Sequence, residues 1–291
     1  MFEGVLTALI TPFRDGEVDE PALRGLVERQ IEAGIDGLVP CGSTGESATL
    51  SHDEHNRVVA ITIDAAAGRV PVVAGTGSNS TAEAISLTAH AKEAGAAGAL
   101  LLSPYYNKPT QQGIYEHYEA VARETALPLV IYNIPGRTAS NIAPQTIGRL
   151  AQLEHIVGVK EASGDLDQIA HVVAACPEDF SVLSGDDALT LPLMSVGGKG
   201  VISTSSNVAA GQMAELVRTF ASGDAEGARR LHHELLPLFD ALFCETNPIP
   251  VKAACAALGW CDGEIRLPMT PITAPNLERL KVVLKDLGIL R

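Results

Sequence analysis

Cysteine is scarce and scattered: Cys41, Cys176, Cys244, Cys255 and Cys261 are odd in number and show no CxxC spacing. Neither a disulfide framework nor a zinc site is indicated. Basic residues are outnumbered, 21 against 35 acidic ones, for a formal net charge of −14. A surface of that sign repels nucleic acid and anionic membrane unless a local basic patch offsets it, and no such patch is present. No uninterrupted apolar run reaches the ~18 residues of a membrane span, and Met1-Phe2-Glu3-Gly4 lacks the basic-then-apolar opening of a signal peptide. Low-complexity tracts and solenoid repeats are also missing. Together these absences predict a cytoplasmic protein with no nucleic acid and no membrane as partners. Aromatic residues make up only 4% of the chain, so those that cluster in loops stand out.

What remains is a globular composition, 46% hydrophobic and 19% charged over 291 residues. That length suits two ordinary domains, or one α/β barrel of about 250 residues with an appendage. Strand-like runs at Val5–Thr11, Gly37–Cys41, Val70–Gly75, Ala99–Leu102, Pro128–Tyr132, Ile156–Lys160, Phe180–Ser184 and Gly200–Ser203 alternate with helix-length amphipathic segments. Several helix ends are signposted. Asp19 precedes Glu20-Pro21, Ser51 and Glu54 form a capping box, and Gly95 can close the helix that begins near Ser80. Eight strands in βα alternation predict a parallel sheet closed into a (β/α)8 TIM barrel, here over 1–223. After it come helical patterns at Leu231–Phe243, Pro250–Leu258 and Leu277–Leu287 with no further strand, so 224–291 reads as a small C-terminal all-helical appendage.

In such a barrel the chemistry sits where strands end. The sixth strand ends in Lys160. A buried lysine amine can stay neutral and nucleophilic, the requirement of Schiff-base chemistry, although a strand-end lysine can also snorkel to solvent or pair with its neighbour, here Glu161. The second strand delivers Gly42-Ser43-Thr44-Gly45-Glu46, whose hydroxyls and backbone N–H groups suit a small carboxylate, or simply cap the turn before the next helix. The fourth strand leads to Tyr105-Tyr106, site residues or interface anchors. The fifth ends Tyr132-Asn133-Ile134-Pro135-Gly136-Arg137: a tyrosine able to move a proton, and an arginine fork for a carboxylate or a loop salt bridge. Ser43, Thr44, Tyr132, Arg137 and Lys160 all fall at one face of the barrel. His52 and His55 lack a third ligand for a metal, and Asp186-Asp187 reads as a helix start.

These motifs resemble the class I pyruvate-dependent aldolases of the N-acetylneuraminate lyase superfamily, and within them the 4-hydroxy-tetrahydrodipicolinate synthases, across essentially the whole chain. Gly42–Glu46, Pro104–Asn107, Tyr132–Thr138, Gly158–Glu161, Leu183–Asp187, Gly200–Ser203, Asn247–Lys252 and Arg266–Thr273 carry the match. The resemblance implies that Lys160 forms a covalent imine with pyruvate, with no cofactor and no metal. Tyr132 would be the general acid/base, in a relay with Ser43 and with Tyr106 of a neighbouring subunit. Thr44 would hold the carboxylate of pyruvate, Arg137 that of L-aspartate 4-semialdehyde, and the backbone near Gly185 and Ile202 would line the site. Ser43 stands where many members carry threonine, which keeps the hydroxyl. Arg137 favours the synthases over the N-acetylneuraminate lyases, which generally lack it.

Ser47, Ala48, His52, His55, Asn79, Glu83 and Tyr105 match positions at which lysine-inhibited members bind L-lysine at a dimer interface, so the resemblance implies a feedback-inhibited homo-oligomer, a dimer or a tetramer of dimers, serving diaminopimelate and lysine biosynthesis. An ordinary polar interface would use the same residue types. A sugar-acid lyase and a non-catalytic lysine-binding barrel are the competing readings.

Overall fold

The structure is a computed structural model that describes residues 2–290. Its eight barrel strands are β1 Gly4–Ala8, β2 Gly37–Val39, β3 Val73–Gly75, β4 Gly98–Leu102, β5 Leu129–Asn133, β6 Ile156–Glu161, β7 Ser181–Ser184 and β8 Gly200–Ser203. They pair in the order β2-β1-β8-β7-β6-β5-β4-β3, every pairing parallel. A bridge between Leu38 and Val72, with Gly75 N donating to Pro40 O at 2.9 Å, joins the two ends and closes the barrel. Helices cover the outer face and side chains fill the inside, so β5 is buried at every position rather than alternating. The predicted TIM barrel is the observed one.

Local chemistry sets the helix ends. In α1, Glu20–Glu32, Asp19 accepts from Ala22 N. In α2, His52–Ala66, the Ser51–Glu54 capping box forms as expected, and in α3, Thr81–Ala94, Ser80 caps the start and Gly95 ends the helix at φ 96°. The outer ring continues with α4 Gln111–Thr125, α5 Pro144–Leu150, α6 Leu166–Ala175, α7 Thr190–Ser195 and α8 Ser206–Ala221. Strand lengths differ from expectation. β2 stops at Val39 rather than Cys41, where φ of 56° turns the chain into the left-handed region. The Asp15-Gly16 turn, with φ of 54° and 83°, makes an unexpected hairpin of Phe13–Arg14 and Glu17–Val18.

Beyond α8, the helices α9 Ala225–Leu242, α10 Ile249–Ala257 and α11 Ala274–Asp286 pack on the barrel. α9 starts six residues before Leu231, where the expected pattern begins, because Asp224 caps it and its first turns, apart from buried Gly227 and Ala228, are exposed. Leu235, Leu238, Phe239, Leu280 and Leu284 share one core with Val5, Leu26, Ile35 and Val217. The barrel interior is a separate plug of Leu6, Val39, Leu100, Val130, Tyr132, Leu183 and Ile202. No helix among the described residues is long and apolar enough to cross a membrane.

Candidate active site

Strand alternation decides which way the sixth strand's ending points. Lys160 and Glu161 are neighbours, so their side chains leave opposite faces of β6. Glu161, 1% exposed, is fully engaged away from the amine: Asn133 Nδ2 donates to it at 3.0 Å, Ser163 N at 2.8 Å and Gln168 Nε2 at 3.3 Å. Lys160, 5% exposed, faces the barrel axis, where among the described residues it makes no ion pair or hydrogen bond. Both alternatives for this lysine, exposure and pairing with Glu161, are thereby set aside.

The amine's nearest aromatic is Tyr132. The two residues are register partners on β5 and β6, and Lys160 Nζ lies 4.4 Å from the Tyr132 ring centroid. Gly185, after β7, makes room for the lysine: a Cβ there would stand 3.0 Å from Lys160 Cε and 2.6 Å from Ala162 Cβ. Ile202 is buried on β8 in the same interior plug as Tyr132.

Thr44 is buried in the loop after β2. Its Oγ1 accepts from Asn247 Nδ2 at 3.0 Å and lies 3.3 Å from Thr204 Oγ1. Arg137 sits in a one-turn helix, Pro135–Thr138, and its Nη2 donates to Asn247 O at 2.9 Å. It makes no salt bridge among the described residues. Ser43 lines a cavity of about 420 Å³ together with Arg137 and Asn247, but no hydrogen bond joins it to Tyr132. Tyr106 is 89% exposed on the outside of its loop at φ 72°. Within one chain, therefore, Lys160 and Tyr132 come together, while Tyr106 stands apart.

The second constellation assembles. Ser47, Ala48, His52, His55, Glu83 and Tyr105 line the same cavity, and Asn79 Nδ2 donates to Tyr105 O at 3.2 Å. His52 Nε2 meets Glu83 Oε1 at 2.8 Å, and Ser78 Oγ donates to the other oxygen. Those two contacts hold the Glu83 carboxyl below the usual carboxylate range. Burial pushes His55 down, and its Nε2 is 2.7 Å from Gly75 O.

Four residues escape a reading by strand ends. Glu46 is not part of the anion cradle. It turns away at φ 54° and pairs with Lys252 of α10, both side chains buried. Asp187 is more than a helix start: 2% exposed, it accepts from Thr204 N, Ser205 N and Ser205 Oγ at 3.2, 2.9 and 2.8 Å. Burial pushes its carboxyl up, against the hydrogen bonds from the serines. Asn247 enters from the tail, just before α10, in a stretch that the resemblance included without giving the residue a role. The hydroxyl run Ser203–Ser206 was the available signal for Thr204.

A family model described as "Dihydrodipicolinate synthetase family" matches residues 1–287. The 4-hydroxy-tetrahydrodipicolinate synthase of Syntrophus aciditrophicus (strain SB) is 57% identical over 290 residues, covering 100% of both chains. Among solved structures, the dihydrodipicolinate synthase of Aquifex aeolicus superposes with a TM-score of 0.98 at 51% identity, covering 99% of each chain. The Acinetobacter baumannii enzyme, described as chloride inhibited and complexed with pyruvate, gives a TM-score of 0.98 at 44% identity over 100% of both chains. That of Cyanidioschyzon merolae, with lysine bound, gives 0.97 at 44% identity over 99% of both.

Proposed function

The chain belongs to the dihydrodipicolinate synthetase family and has the activity of a 4-hydroxy-tetrahydrodipicolinate synthase; we propose that it works through an imine of pyruvate on Lys160, whose enamine adds to L-aspartate 4-semialdehyde. The observation that carries this reading is the lysine itself: a buried amine on the barrel axis, beside a tyrosine and with no carboxylate partner among the described residues.

The chemistry balances without a cofactor. The Lys160 amine adds to the C2 carbonyl of pyruvate and water leaves, giving the imine. Its positive nitrogen draws electrons, so a methyl proton is removed and an enamine forms. The enamine carbon attacks the aldehyde, whose oxygen takes up a proton. The amino group of the second substrate then displaces the lysine from the imine carbon, which closes the ring and frees Lys160. Tyr132 is the proton carrier in this scheme, with Ser43 and with Tyr106 of a second copy, whose exposure suits an intersubunit role. Thr44 holds the carboxylate of pyruvate and Arg137 that of the semialdehyde. Gly185 and Ile202 shape the walls. The barrel of residues 1–223 carries the reacting groups, and the helical region 224–291 braces them.

Ser47, Ala48, His52, His55, Asn79, Glu83 and Tyr105 form an L-lysine site in this reading, so the pathway's end product inhibits the enzyme, a cytoplasmic homodimer or a tetramer of dimers. Glu83 and the main-chain and side-chain acceptors around it suit an ammonium group. A coupled assay with pyruvate and L-aspartate 4-semialdehyde, with and without lysine, tests the whole proposal. Turnover that needs both substrates and falls as lysine is added is expected; turnover of a sugar acid instead, or none, contradicts it.

A further inference from the structure

We infer that Asn247 is a positioning residue that fixes both carboxylate-binding groups of the site. The inference rests on the roles of Thr44 and Arg137 given above and extends them to a residue of the tail.

A carboxylate is an acceptor only, so a threonine that binds one must have its hydroxyl proton free to donate. Asn247 arranges that. Its Nδ2 donates to Thr44 Oγ1 at 3.0 Å, which fills a lone pair and leaves the proton to point elsewhere. The other partner of Thr44 is the Thr204 hydroxyl at 3.3 Å, a group that can give or take. The Thr204 main chain is itself held in place, since its N–H donates to the buried carboxylate of Asp187 at 3.2 Å. An acceptor in place of the Asn247 amide nitrogen would claim the Thr44 proton and remove it from the substrate.

The same residue sets Arg137. Its main-chain oxygen accepts one N–H from Nη2 at 2.9 Å. A guanidinium has five N–H donors, so this contact orients the fork and leaves the rest of it for a carboxylate. Asn247 thus governs one group with its side chain and the other with its backbone.

Its own position is set by the tail. Asn247 is 7% exposed and leads directly into α10, where Lys252 pairs with buried Glu46. Glu46 lies two residues beyond Thr44. The Thr44 loop and the Asn247 segment are therefore fastened at two neighbouring points, and the amide cannot drift from the hydroxyl it serves.

Asn247→Asp preserves shape and the backbone carbonyl while exchanging the donor for an acceptor. The readout is borohydride trapping of a ketone on Lys160 in the intact protein, with pyruvate and, as a ketone lacking a carboxylate, with acetone. The expected result is that half-maximal trapping needs at least about tenfold more pyruvate, the loss of one hydrogen bond to a charged group, with the acetone value unchanged. Asn247→Ala removes the donor without adding charge, and about a threefold rise for pyruvate alone is expected, as for a weaker lesion of the same hydrogen bond. Melting curves establish that each variant is folded. A folded variant with an unaltered pyruvate requirement overturns the inference, as do losses shared equally by pyruvate and acetone, the mark of a merely structural role. Failure of the unsubstituted protein to trap pyruvate overturns the reading of Lys160 and this inference with it.

Discussion

Glu46 and Lys252, separated by 206 residues, form an ion pair whose side chains are 3% and 1% exposed. Lys252 Nζ also lies 4.0 Å from the Phe13 ring centroid, and Arg266 N donates to Glu46 at 3.2 Å. The barrel loop that carries Ser43 and Thr44 is in this way bound to the tail. Removing one partner strands a buried charge. Lys252→Met should lower stability by about 3–5 kcal/mol, and Glu46→Gln combined with Lys252→Met should recover most of that loss. Urea denaturation of the two variants checks this, and equal losses in both would contradict a pairing role.

Gly185→Ala tests how tightly Lys160 is held. The added methyl would meet Ala162 Cβ at 2.6 Å and Lys160 Cγ at 3.1 Å. Overpacking of this kind destabilises by about 1–3 kcal/mol. The amine must shift from its place beside Tyr132, so we expect kcat to fall by about 10²-fold, the scale of a misplacement near 1 Å. Steady-state kinetics on the folded variant decide it, and a wild-type kcat would mean that the glycine is not needed for the lysine's path.

Much of this was legible in the sequence, and the limits have a physical pattern. Strand ends declare themselves by where apolar runs stop, so Thr44, Tyr132, Arg137 and Lys160 could be assigned to one face. Helix ends such as Ser51 and Gly95 follow from local hydrogen bonding and φ, and they fell where expected. Contacts that close loops of about two hundred residues carry no local signal. Asn247 meeting Thr44, and Lys252 meeting Glu46, depend on how the tail folds back. Glu46 shows the consequence: the motif's hydroxyls and N–H groups leave this carboxylate without a task, and φ of 54° turns it toward Lys252 of the tail.

Acid should weaken the fold before carboxylates titrate. Burial pushes His117 down to about 4, and it moves His55 and His232 in the same direction. The unfolded chain takes up these protons near pH 6.5, whereas folded His117 does so only near 4. Protons therefore favour unfolding between those values: stability is full above about pH 6.5 and declines as pH falls toward 4. His117→Gln should make that decline shallower, by up to about 1.4 kcal/mol per pH unit. Denaturation midpoints at several pH values test it, and parallel slopes would contradict it.

Glu83 is the charged centre of the proposed regulatory site, held ionised by Ser78 and His52. Glu83→Gln keeps the shape and removes the charge that an ammonium group would meet. The lysine concentration for half-maximal inhibition should rise at least about tenfold, the worth of a charge-assisted contact. Calorimetric titration with lysine gives the same comparison directly, and undiminished heat and affinity in the variant would place lysine elsewhere.

The chemistry turns on one amine, and mass spectrometry reads it most directly. The protein is treated with pyruvate and borohydride, digested, and its peptides are weighed. The expected result is the mass of a reduced pyruvyl group on Lys160 and on no other lysine, with no adduct and no turnover in Lys160→Ala. Pyruvate trapped on a different lysine, or wild-type turnover by Lys160→Ala, would contradict it.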